Sequence, residues 1–132
     1  HTTIGRRLLG NSPSPLLQMA AEIALTHHEN WDGSGYPQGL RGKQIPLAGA
    51  IVKVCDAYDT LRSRHFFKKP MTHEQAIAIL RHGNDLIHPE HFHPDVLDAF
   101  LEIAPVIAEI FAAHHRRVRI RRQQNRPANG LR

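Results

Sequence analysis

An all-α fold, a helical bundle, is what this sequence predicts, and three observations predict it. Apolar residues recur at three- and four-residue steps, helix start and stop signals bracket those stretches, and no segment sustains the alternation of a strand. There is also no internal repeat. With 132 residues, 41% hydrophobic and 22% charged, the chain suits one ordinary globular domain with a single core. Residues 1–118 carry the helical pattern, and 119–132 read as a basic, flexible tail.

The first strong helical pattern starts at Ser14, which suits an N-cap, with Pro15 at the first helical position. Leu16, Met19, Ala20, Ile23, Ala24 and His27 recur on one stripe, expected to be buried. His27 ends that stripe, and His28 would lie about 100° round the helix from it. The two rings are thus expected to diverge and to suit adjacent metals rather than one mononuclear site. The loop from Asn30 to Lys43 holds Gly33, Gly35, Gly39 and Gly42, a density that ends a helix and predicts irregular backbone. Pro46 then suits a helix start, and Leu47, Ile51, Val54, Cys55, Tyr58 and Leu61 form an amphipathic face with Asp56 and Asp59 on its flank.

Thr72-His73-Glu74-Gln75 reads as a capping box opening a helix through Ala76, Ile77, Ile79 and Leu80, which Gly83 terminates. A polar loop follows to His93. From Pro94 a helix carries Val96, Leu97, Phe100, Leu101 and Ile103, and Pro105 either kinks it or divides it from a last helix through Ile107, Ile110 and Phe111.

Composition narrows the function classes. Cys55 has no intramolecular disulfide partner and is expected to be a buried, inert thiol in a reducing compartment. No apolar run approaches the roughly 20 residues of a membrane-spanning helix, so a cytoplasmic segment is expected, with any membrane anchor lying upstream. The net charge of +5 is largely terminal, in Arg116, Arg117, Arg119, Arg121, Arg122, Arg126 and Arg132. A basic tail of this kind is commonly solvated, which argues against nucleic acid as a partner. His82, His88, His91 and His93 match no strong zinc spacing and are expected on the surface.

The chemistry-bearing stretch is His27-His28-Glu29-Asn30-Trp31-Asp32-Gly33-Ser34-Gly35-Tyr36-Pro37, where two imidazoles run into a glycine-broken loop. Taken singly, His27 and His28 as helix-end residues and Asp56 as a solvated charge are the plainer readings. Together with His1-Thr2-Thr3-Ile4-Gly5 and the continuation to Asp56, the pattern resembles the HD-GYP subfamily of the HD superfamily of metal-dependent phosphohydrolases, over nearly the whole chain to about Phe100. The resemblance implies part of that superfamily's helical bundle and hydrolysis of cyclic di-GMP at a two- or three-metal centre. It places His1, His27, His28 and Asp56 at metal-ligand positions. Iron, manganese and zinc are all compatible with such ligands.

The resemblance further implies that Lys68 contacts substrate phosphate, as does the family's arginine at the position of His65, for which Arg64 or Arg62 would have to substitute. Tyr36 offers an aromatic face and a hydroxyl that suit stacking on or bonding to a guanine nucleotide, and Gly33, Gly35 and Pro37 shape the loop. Structural packing of the Tyr36 ring is an equal alternative. Glu29 and Asp32 either order the histidines or are solvated. In the family an upstream His-Asp pair completes the metal set, so the sequence reads as truncated before the His-Thr motif, and the fragment is expected to be inactive on its own. His65, Phe66 and Phe67 depart from the family's Arg-Pro-Tyr, and a histidine lacks arginine's bidentate fork. Those departures leave open a degenerate, non-catalytic module that binds a nucleotide or a partner such as a diguanylate cyclase domain. A nucleic-acid-binding helical domain led by the basic end is a further alternative. An upstream regulatory domain and self-association through apolar surface are also expected.

Overall fold

The computed structural model describes residues 1–63 and 69–124, and among them there are six α-helices, two short 3-10 turns and no strand. The helices are α1 (Thr2–Leu9), α2 (Pro15–Thr26), α3 (Leu47–Arg62), α4 (His73–His82), α5 (Pro94–Glu102) and α6 (Ala104–Gln124). The all-α expectation holds. Arg64, His65, Phe66, Phe67 and Lys68 lie outside the described residues, as do 125–132 and the side chains beyond Val118, so the expected phosphate contacts and most of the expected tail fall there.

The chain divides into two compact units, His1–Glu102 and Ile103–Arg132. In the first, α1 packs on α2, α2 on α3, and α3 on both α4 and α5. Small residues set the two closest approaches. A Cβ on Gly5 would meet the Ala24 Cβ at 2.9 Å, and one on Gly49 would drive into the Thr26 hydroxyl, so α1, α2 and α3 stack with almost nothing between their backbones. This brings the start of α1 beside the end of α2. In the second unit α6 runs on to Gln124, past the point where the tail was expected to begin. Pro105 divides rather than kinks, because it is the second residue of α6, where a missing N–H costs little.

Local signals worked where they were chemical. Ser14 and Pro15 open α2, although the Ser14 side chain makes no cap bond. The capping box is present in full: Gln75 N–H donates to Thr72 Oγ1 at 3.2 Å and Thr72 N–H to Gln75 Oε1 at 3.0 Å, and Gly83 closes α4 at φ +83°. The apolar stripes fared less well. Leu16 is 74% exposed and Met19 53%, so the α2 stripe buries Ala21 and Thr26 instead. On α3 the buried face is Gly49, Ala50, Val54, Tyr58 and Leu61, which leaves Leu47, Ile51 and Cys55 exposed. Cys55 is therefore not the buried residue expected, though partial desolvation raises its thiol pKa and keeps it protonated. Helix α1 has no counterpart in the sequence reading, because two threonines and a glycine in eight residues give it little helical signature.

Candidate metal centre

Three imidazoles meet where the two ends of the α1–α2 hairpin come together. His1 precedes α1, His27 caps the C-terminal end of α2 and His28 follows it, and one ring nitrogen of each lies within 4.8 Å of the others. The expectation that His27 and His28 diverge is overturned: their ring centroids are 4.1 Å apart and both face His1. The helix has already ended at Thr26, so the helical rotation between successive residues no longer applies at His28.

The geometry suits a cation. His27 Nδ1 donates to the Ile23 carbonyl at 2.8 Å, which fixes its tautomer and leaves Nε2 with a lone pair. Nitrogens each held about 2.0–2.1 Å from one ion lie roughly 3 Å apart, and the Nε2 atoms of His1 and His28 are 3.0 Å apart. Burial, then the neighbouring His27, hold the His28 imidazole below its ordinary pKa and so in the neutral form a metal needs. The cluster is capable of coordinating a divalent metal ion.

Two of the trio, His27 and His28, line a cleft of about 460 Å³. Asp56 lines the same cleft from α3, but it is not among the groups within 4.8 Å of one another. Gly35 and Tyr36 line it from the loop. A Cβ on Gly35 would collide with the backbone of Asn30 and His28, so only glycine fits there, while Gly33 sits at φ +84° against Arg41. The Tyr36 ring stacks on His28 with centroids 4.9 Å apart, and it remains 53% exposed beside Pro37.

Glu29 neither orders the histidines nor meets water. It is completely buried, and its carboxylate accepts from the N–H groups of Gln38 at 2.7 Å and Leu40 at 2.9 Å, bracing the loop against the end of α2. Asp32 accepts from the Ser34 N–H and hydroxyl at 2.9 and 2.6 Å, bonds that lower its pKa. A further backbone bond, Trp31 N–H to the His91 carbonyl at 2.9 Å, ties the loop to the 3-10 turn Pro89–His91.

Two cleft residues had been missed. Lys53 reaches it from α3, with its ammonium drawn below the usual pKa by burial, against the opposing pull of Asp56, Asp32 and Glu29. Its place three residues before Asp56 was the available signal, since that spacing shares a helix flank. His91 also lines the cleft, contrary to its expected surface position, and no sequence signal marked it. His82 and His88 are exposed as expected, and His93 packs on Trp31 with ring centroids 4.3 Å apart.

Residues 1–90 match the family model described as HD domain. The chain belongs to the HD-domain family. Within that family it is similar to a cyclic di-GMP phosphodiesterase of Thermotoga maritima, 45% identical over 84% of this chain and 29% of the relative. A cyclic di-GMP phosphodiesterase of Vibrio cholerae is 44% identical over 84% of this chain and 21% of its own length. A 3'3'-cGAMP-specific phosphodiesterase of the same organism is 40% identical over 77% of this chain and 19% of its own. The chain thus spans less than a third of the length of these relatives. Among the described residues of this HD-domain chain, no helix is long and apolar enough to cross a membrane.

Proposed function

We propose that the chain is the C-terminal part of an HD-GYP-type domain that hydrolyses a phosphodiester of cyclic di-GMP. The observation that carries this reading is the convergence of His1, His27 and His28 within 4.8 Å, with His27 and His28 lining a cleft. The sequence similarity to cyclic di-GMP phosphodiesterases supports the substrate, and cyclic di-GMP signalling is the corresponding setting. The intact cluster argues against the expectation of an inactive fragment.

The three imidazoles, with Asp56 across the cleft, would hold the divalent ion, whether iron, manganese or zinc. When bound, it supplies Lewis acidity toward a phosphoryl oxygen and lowers the pKa of water. The protein's own part is placement. The Ile23 carbonyl sets the tautomer of His27. Tyr36 turns an exposed aromatic face toward a guanine while its stack on His28 holds the ring in position. Glu29 keeps Gln38 and Leu40 drawn back, so that the loop stays folded over the trio.

The reading is tested by metal content and cyclic di-GMP turnover measured together on the 132-residue chain supplied with iron, manganese or zinc. Bound metal with turnover supports it. Failure to retain any of these ions overturns it. The departures at His65, Phe66 and Phe67 favour a second reading, a degenerate module that binds the nucleotide without cleaving it; bound metal and saturable nucleotide binding with no turnover would select that one.

A further inference from the structure

Lys53 stands out among the cleft residues because, among the described residues, no ion pair within 4.0 Å fixes its charge, which Asp56, Asp32 and Glu29 attract from farther away. Its ammonium lies 5.9 Å from the Phe92 ring centroid, and among the described residues the one ion pair within 4.0 Å is His91 with Asp32, not one involving Lys53. No hydrogen bond to it is found among those residues either. Lysine side chains commonly pack the aliphatic stem on apolar surface and leave the charged end outward, and Lys53 and Phe92 line the cleft together. The cleft lining otherwise offers neutral donors, Asn30, Ser34 and Thr60, the imidazoles, and a single carboxylate, Asp56. A divalent cation at the trio together with the Lys53 ammonium outweighs the one carboxylate of the lining, Asp56, and the nearby Asp32, which favours an anion as occupant.

His91, which lines the same cleft as Lys53, has its tautomer set by the His88 backbone. Its Nδ1 accepts the His88 N–H at 3.3 Å, which places the ring hydrogen on Nε2. Nε2 lies 3.9 Å from an Asp32 oxygen, too far for a hydrogen bond that would fully occupy it.

We propose that Lys53 and His91 form a phosphate seat beside the imidazole trio, Lys53 supplying charge and His91 an N–H donor to the non-bridging oxygens of the bound phosphodiester. The seat is built from α3 and the Pro89–His91 turn, and its residues are not among those for which the family resemblance implies a phosphate contact. The inference rests on the nucleotide reading given under Proposed function, and it names a residue pair of the same cleft.

The test is calorimetric binding of cyclic di-GMP to the metal-loaded chain, run for wild type, Lys53→Met, Lys53→Arg, His91→Gln and the control Lys43→Met, whose lysine lies outside the cleft lining. Lys53→Met is expected to weaken binding about 10- to 100-fold, as removal of a charge-assisted contact does, with the salt dependence of binding reduced. Lys53→Arg recovers most of the loss, His91→Gln weakens binding roughly 3- to 10-fold as a neutral contact would, and Lys43→Met matches wild type. Metal content stays at the wild-type level throughout, which separates a phosphate contact from damage to the trio. If Lys53→Met misfolds by circular dichroism, Lys53→Gln, which keeps a polar stem, replaces it. Binding within twofold of wild type in a folded Lys53 variant overturns the seat while leaving the nucleotide reading intact. A folded, metal-loaded wild type that binds no cyclic di-GMP overturns both.

Discussion

The chain has two histidine-rich stretches, and they are put to different uses. His27 and His28 join His1 in one cluster, whereas His82 and His88 face solvent, His91 lines the cleft and His93 packs on Trp31. The difference does not come from histidine density. The first pair sits at the end of a helix whose neighbour brings a third ring to the same point, and the second group is strung along a turn with no such neighbour. Each stretch is also braced by one polar side chain that accepts two backbone N–H groups. Glu29 reaches nine and eleven residues ahead from complete burial, while Asn84 Oδ1 reaches only to Leu86 and Ile87, at 2.9 and 2.7 Å. Ligand geometry was built where a long-range brace was available.

The sharpest way to break this comparison is to exchange the roles of the two stretches. His28→Ala should lower metal affinity about 100-fold or more, since one of four ligands carries a comparable share of a structural site's binding energy, whereas His88→Ala should leave metal content unchanged. Equilibrium dialysis with zinc reads both, and equal losses would erase the distinction. Next in size, Glu29→Ala strands two N–H groups in the interior and should cost about 3 kcal/mol, seen as a lower denaturant midpoint and as faster proteolysis between Asn30 and Leu40.

A pH titration draws on one residue from each stretch. His28 and His91 both have imidazole pKa values lowered chiefly by burial. Below the ordinary value of about 6.5 the unfolded chain takes up protons that the folded chain does not yet bind. The stability of the metal-free protein should therefore hold above that pH and fall as pH drops through it toward the lowered folded values, with His91→Gln flattening part of the slope. A stability curve that rises on acidification would contradict the burial assigned to both rings. The smallest effect is expected from Asn84→Ala, about 1 kcal/mol, because its brace is local and partly solvated. Thermal denaturation that shows it matching Glu29→Ala would mean the two braces are equivalent after all.

Much of the frame was legible in the sequence, and what was legible was local. The Thr72–Gln75 box, Gly83 and the Ser14-Pro15 start specify backbone within four residues of themselves, and those helix ends fell as read. The stripes on α2 and α3 misled, because periodicity says which residues share a face but not whether another element covers it; Leu16, Met19 and Ile51 have no such cover. In the site, His1, His27, His28 and Asp56 were all marked by their pattern, yet the convergence of the two adjacent rings depended on the helix ending one residue earlier than the stripe suggested. Glu29 was misread because its partners lie nine and eleven residues away, beyond any local rule. The carbonyl of His91 accepts from the Trp31 N–H, a long-range contact with no signature in the order of residues.

The close approach of Gly5 to Ala24 has a consequence for how the first helix is retained. Thr2 is the one fully covered side chain of α1, and Ile4 and Leu8 are exposed, so few apolar contacts oppose its fraying. A cation shared by His1, His27 and His28 would cross-link positions 26 residues apart, closing a loop much as a covalent staple does. A slip of α1 by one turn moves its residues about 5.4 Å, comparable to the whole spread of the ligand atoms. Occupancy of the trio and docking of the helix would then be one equilibrium, and metal starvation would register as release of the helix together with the metal.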